Sequence, residues 1–302
     1  MNTTRVGQGR LYRAREELKL YLDNLLSALT LSSVFIGLVS SSVAYFSFLL
    51  FNVEPNFILL FASFCVTFSL YNINKFTDKE EDLINIPERG LFIQNKGHLL
   101  LPLSVVAYIT ALIVGGVENL EVVPILLLPI LLGMVYSVKI SSDFIRLKDI
   151  FIVKNILATV GWVLVATLLP LLYRPDFLIF SLAFLFMFIK LFINAVVFDV
   201  RDMEGDTKSG VKTIPATIGL AKTKKLLLIL NTLLIPWIAA VFYFKLFLNL
   251  LPILLFSVVY GYWYILHFCK SEKKFSFSYD LLVDGEWMIL SCMFIFLHHF
   301  AL

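Results

Sequence analysis

Residues 24–53 and 56–74 contain no acid and no base, over thirty and nineteen positions respectively. A helix needs roughly 20 apolar residues to cross a hydrocarbon core, whereas a barrel strand needs about 10 in strict alternation. These runs are long and do not alternate, so they predict membrane-spanning helices. The pattern continues along the chain, giving nine candidate spans at 24–53, 56–75, 98–117, 122–138, 152–173, 177–199, 226–244, 246–269 and 281–301. Composition agrees, with 59% hydrophobic and only 16% charged residues, where a soluble domain carries about a quarter charged. The expected fold is an all-α integral membrane protein, nine transmembrane helices around a central cavity, in one domain covering 1–302.

Basic residues set the expected orientation. The N-terminal arm (1–23) and the loops after spans two, four, six and eight hold 22 of the 25 Lys and Arg, and the opposite face holds Arg174 and Lys245. That places the N-terminus and the loops 75–97, 139–151 and 200–225 in the cytoplasm, with the C-terminus outside a cell membrane. The arm RLYRAREELKLYLDN is too long for the n-region of a signal peptide, so the first span is expected to stay in the mature protein. The remaining base, Lys190, lies inside a span, where a charge either snorkels or finds a partner. Cys65, Cys269 and Cys292 are far apart and the four histidines lack metal-site spacing, so neither a disulfide framework nor a zinc site is expected.

Acids gather where two of the spans end. Asn74, Asp78 and Asp82 recur every four residues, so on a helix they form one stripe about 12 Å long. The intervening Lys75 is expected on another face, in contact with solvent or headgroups. At the end of span six, Asp199, Asp202 and Asp206 have spacings of three and four and share a face in the same way. Like charges at these spacings repel unless a cation sits between them. Asp78 and Asp82 map onto Asp202 and Asp206 with a constant offset of 124 residues, and each pair is followed by a Gly- and Pro-bearing loop with a base, Arg89 in one and Lys212 in the other. The chain therefore reads as duplicated four-helix units plus one helix. A solvated helix end explains either stripe alone, but not both together with their matching loops.

Carboxylate stripes suit Mg²⁺, which is held by one or two carboxylates and leaves positions open for phosphate oxygens. Diphosphate is the natural client: metal ions with Lys and Arg would neutralise the charge building on it as a C–O bond breaks. If the other side of that bond is an allylic chain, the membrane holds the tail and aromatic faces can stabilise the carbocation. A secondary transporter or cation channel that uses rim carboxylates is the alternative, although transporter sites lie nearer the midplane. Nothing calls for nucleic acid or an obligate protein partner.

These residues resemble the UbiA superfamily of intramembrane prenyltransferases. Asn74, Asp78 and Asp82 are similar to its NxxxDxxxD motif, and Asp199, Asp202 and Asp206 to its DxxDxxxD motif. EGDTKSGVKTIPATIG is similar to its GD…G…TLP…LG stretch, and YSVKISSDFIRLKDI to its Tyr-Ser…Lys loop, which puts Tyr136, Lys139, Arg146 and Lys148 at phosphate-contact positions. The resemblance implies a nine-helix architecture and Mg²⁺ held by Asp78, Asp82, Asp202 and Asp206 with Asn74 assisting. It further implies diphosphate contacts from Arg89, Lys139, Lys148 and Lys212, and a role for Asp199 as metal ligand or as base. The implied reaction is Mg²⁺-dependent transfer of a prenyl group from a polyprenyl diphosphate, through an allylic carbocation, to a lipophilic acceptor. That acceptor is an aromatic ring such as hydroxybenzoate or naphthoate, or a prenylated glyceryl phosphate. The chain departs from the family in having Lys75 where many members have Asp. It also lacks an Arg in LDNLLSALT, which shifts phosphate binding onto Arg89 or the Tyr136 loop.

Overall fold

Helices are the only regular structure among the residues that the computed structural model describes, 21–77, 86–137, 150–208, 211–270 and 276–300 together with Glu16. In hydrocarbon each backbone N–H and C=O must be satisfied within its own segment, and a helix does this. The elements are α1 (Tyr21–Leu31), α2 (Val34–Leu50), α3 (Phe57–Thr77), α4 (Pro87–Glu118), α5 (Val122–Ser137), α6 (Val153–Leu171) and α7 (Phe177–Lys208). After these come α8 (Ile214–Ile218), α9 (Leu220–Thr232), α10 (Leu234–Tyr243), α11 (Leu251–Phe268), α12 (Ser276–Tyr279), a π-helical turn (Asp280–Asp284) and α13 (Glu286–Phe300). Six helices are long and apolar enough to cross a membrane, and up to eight if two bent pairs each count as one span. At 16 residues α5 is shorter.

From α2 to α11 each helix packs on the next, α11 packs on α13, and α13 returns to pack on α2, so the order of the chain closes into a ring. Helix α2 also packs across the ring on α6. Its Phe46 belongs to a core shared with Phe186, Trp237 and Trp287, and its Phe48 to a second core with Leu59, Tyr108 and Leu126. On the outside Phe57, Val117 and Tyr243 are more than three-quarters exposed. Water would penalise such a surface and lipid does not.

The helices outrun the apolar sequence. Helix α4 starts at Pro87, at the position where a missing N–H costs nothing, and α7 continues to Lys208, which pairs with Glu204 one turn back at 2.9 Å. Much of 75–97 and 200–225, expected as loops, is therefore helical. Apolarity ends where the hydrocarbon ends, but the backbone ladder does not.

Two spans are broken, and side chains from neighbouring helices satisfy the freed backbone. Between α1 and α2, bent by 71°, Ser33 has φ 65°. Asn72 Nδ2 donates to the Ser32 carbonyl at 3.1 Å, and Lys75 Nζ donates to the Leu31 carbonyl and to Ser33 Oγ, each at 2.6 Å. Lys75 is buried, which corrects its expected place in solvent: three residues after Asn72, it shares the face turned to the break. In the last span, the π turn presents the carbonyls of Leu282 and Val283 to neighbouring helices. Tyr260 Oη donates to the first at 2.9 Å and Asn194 Nδ2 to the second at 3.3 Å.

Candidate active site

The last turn of α3 presents Asn74 to a cavity of about 180 Å³ between α2, α3, α5 and α6. Ser40, Ser63 and Thr67 give this cavity a polar side, while Val43, Leu132 and Val165 give it an apolar one. Tyr71 and Trp162 also line it, edge to face with ring centroids 6.0 Å apart. Lys75 and Asn72 look the other way, toward the helix break, so the α3 terminus divides its polar residues between structure and cavity.

The three acids of α7 have different surroundings. Asp199, 4% exposed, accepts from Asn155 Nδ2 at 2.7 Å and from Lys154 Nζ at 3.3 Å, both on the first turn of α6. Asp202 accepts from Arg201 Nε and Nη2, both at 2.8 Å. The Arg201 guanidinium lies 4.8 Å from the Phe198 ring centre and 5.8 Å from that of Tyr279. Asp206 is buried one turn further on, and its carbonyl accepts from the Val211 N–H at 2.9 Å, fixing the path of the following segment. Lys212 then emerges exposed.

Arg89, half-buried on the first turn of α4, lies within electrostatic range of Tyr71 and Asp280. Arg201 and Asp202 act on Asp280 from α7, and Asp280 and Asp284 act on Tyr71. The ends of α3, α4 and α7 and the π turn thus bring their charges together. Asp78, Asp82, Lys139, Arg146 and Lys148 lie outside the described residues, and so does the side chain of Tyr136. Asp202, Asp206 and Asn74 offer hard oxygen of the kind Mg²⁺ takes. No three His, Cys, Asp or Glu side chains converge as a metal cluster among the described residues, so a complete site needs donors beyond them.

Sequence reasoning passed over Arg201, Lys154, Asn155 and the pair Asp280 and Asp284. Two acids four residues apart at the start of an apolar run were a signal of the same type as the Asn74 stripe. Lys190 neither reaches the surface nor lacks a partner. Its Nζ lies 2.7 Å from Glu286 Oε1, with both side chains fully buried, and donates to the Ser257 carbonyl at 3.0 Å.

Residues 27–282 match the UbiA prenyltransferase family. The chain belongs to that family. This UbiA-family protein is accordingly a membrane-bound prenyltransferase. It is 26% identical to the digeranylgeranylglyceryl phosphate synthase of Methanosphaera stadtmanae over 215 residues, 68% of this chain and 75% of that one. Its fold is that of a UbiA homolog from Archaeoglobus fulgidus solved with GPP and Mg²⁺, at a TM-score of 0.67 and 19% identity, covering 89% of this chain and 96% of the other. A solved digeranylgeranylglyceryl phosphate synthase is similar at a TM-score of 0.56 and 19% identity, covering 91% and 96%.

Proposed function

We propose that this prenyltransferase moves a prenyl chain from a prenyl diphosphate onto a free hydroxyl of a glyceryl phosphate that already carries one prenyl chain. The observation that carries the reading is the convergence of charges from α3, α4, α7 and the π turn beside a part-polar, part-apolar cavity. The match to the Methanosphaera synthase favours this acceptor over an aromatic ring.

Asp202 and Asp206, with Asp78 and Asp82 from the first stripe and Asn74 assisting, hold Mg²⁺. When bound, the metal supplies positive charge that stabilises the diphosphate as it leaves. Arg89 contacts the diphosphate from the α4 terminus, and Lys212, with Lys139, Arg146 and Lys148 of the Tyr136 loop, supplies further contacts. Tyr71 and Trp162 face the cavity with ring surfaces able to stabilise an allylic cation by about 0.5 to 2 kcal/mol each. Asp199, tied to Lys154 and Asn155, sets the register of α7 against α6 and so aims Asp202 and Asp206. The packed helices around the cavity keep water from the cation, which would otherwise end as an alcohol.

In this reading the chain crosses nine times, α5 being the shortest crossing, with the site at the cytoplasmic rim, the N-terminus inside and the C-terminus outside; the split of basic residues supports it. Purified protein incubated with Mg²⁺ and radiolabelled geranylgeranyl diphosphate should prenylate a glyceryl phosphate carrying one geranylgeranyl chain. Hydroxybenzoate and dihydroxynaphthoate should be poor acceptors. Preference for either aromatic acid would overturn the proposed acceptor.

A further inference from the structure

The last span is distorted where it meets the charged end of the protein. Asp280–Asp284 forms a π-helical turn, a local widening that costs regular hydrogen bonding and occurs frequently at functional sites. The turn is held from outside itself: Tyr260 on α11 and Asn194 on α7 bond its carbonyls. Gly285 closes it, and a Cβ there would overlap the Leu281 carbonyl oxygen. A distortion maintained by two neighbouring helices presents the same side chains every time.

Those side chains are Asp280 and Asp284, one turn apart, and they differ in commitment. Asp284 lies beside Asn194, which bonds the neighbouring Val283 carbonyl. Asp280 is half-buried and makes no hydrogen bond or ion pair among the described residues. The charged groups that act on it come from three other helices: Lys75 on α3, Arg89 on α4, and Arg201 and Asp202 on α7, with Asp284 on its own turn. Asp280 therefore stands between the α3–α4 end and the α7 end of the site. Of the other described acids there, Asp199 is engaged by Lys154 and Asn155, and Asp202 and Asp206 are the proposed Mg²⁺ ligands.

The proposed reaction, on which this inference rests, leaves one requirement unmet. The allylic C–O bond breaks with its electron pair leaving on the diphosphate, and a lone pair of the acceptor hydroxyl forms the new C–O bond. The hydroxyl proton must then go to a base that is neither engaged in an ion pair nor holding metal. We propose that Asp280 is a catalytic residue on the acceptor side, accepting the hydrogen bond of the acceptor hydroxyl and taking its proton as the ether bond forms. The proton passes from Asp280 to water at the open end of the site. The π turn aims the carboxylate between the two halves of the site.

Asp280→Asn, Asp280→Glu and Asp284→Asn separate this role from others. Asp280→Asn should keep Mg²⁺-dependent binding of geranylgeranyl diphosphate by calorimetry, and slow acceptor-independent hydrolysis of that donor. Transfer to the monoprenylated glyceryl phosphate should fall about 100-fold or more, the usual worth of a positioned base. Asp280→Glu should recover part of the transfer, and Asp284→Asn should lower thermal stability more than turnover. Undiminished transfer in Asp280→Asn would overturn the proposal, as would loss of donor binding together with transfer, which would place Asp280 in the diphosphate site. So would equal loss of transfer and of thermal stability in both Asp280 variants, which would make its role structural. A wild-type protein that binds donor but prenylates no hydroxyl acceptor overturns the proposed function before any variant is compared.

Discussion

At residue scale the most exposing test of the structure is Lys190. A fully buried ammonium is tolerated only with a partner, and Glu286, equally buried, provides it at 2.7 Å. Removing one member of such a pair strands the other charge, at a cost of about 3 to 5 kcal/mol, whereas replacing both with apolar residues of similar size is often neutral. Glu286→Leu should therefore lower the unfolding temperature in detergent sharply, and Lys190→Met with Glu286→Leu should restore most of it. A double variant less stable than either single one would show that the ion pair is not what holds α7 to α13. The cost of an uncompensated charge in a span was legible in the sequence, but the partner was not. Ninety-six positions separate the two residues, and no periodicity of α7 points to α13. Lys75 shows the opposite failure: its charge invited a place in solvent, yet the break after Leu31 offered it oxygen atoms inside.

At the scale of elements, the apolar runs located helices well and their irregularities poorly. The run that begins at residue 281 gave a span, but the π turn at its start depends on Tyr260 and Asn194, which belong to other helices. Gly285 was the available cue, since a glycine inside a helical pattern marks close approach or a bend. Here it allows a 41° bend between the turn and α13. Gly285→Ala must push the Leu281 carbonyl aside, rotating Asp280 and Asp284 together. A displacement of about 1 Å in a positioned group can cost about 100-fold in rate. Transfer activity in Gly285→Ala should fall by at least tenfold, while donor binding, which depends on α3, α4 and α7, stays intact. Equal loss of both would mean that the turn supports the whole site and not its acceptor side.

At the scale of the whole molecule, the ring brings Lys75 near the end of α3 and Arg201 and Asp202 near the end of α7 within reach of the same residue, Asp280, although more than 120 residues separate Lys75 from Asp202. The equivalence of the two acid stripes was readable because the offset is constant. The closure of the ring was not, because it depends on α2 packing on both α6 and α13. If the stripes share one Mg²⁺-diphosphate, neither has a function alone, and each without the other is a row of like charges beside a low-dielectric interior. Parts of one catalytic unit are strongly non-additive, so losing a second part costs little after the first is gone. Asp78→Asn and Asp202→Asn should each remove most turnover and most Mg²⁺-dependent donor binding, and the double variant should be little worse than either. Multiplicative losses, or one stripe that can be neutralised with donor binding intact, would divide the ring into two independent sites. The intact stripe would then be open to the other chemistry that rim carboxylates serve, ion passage without group transfer.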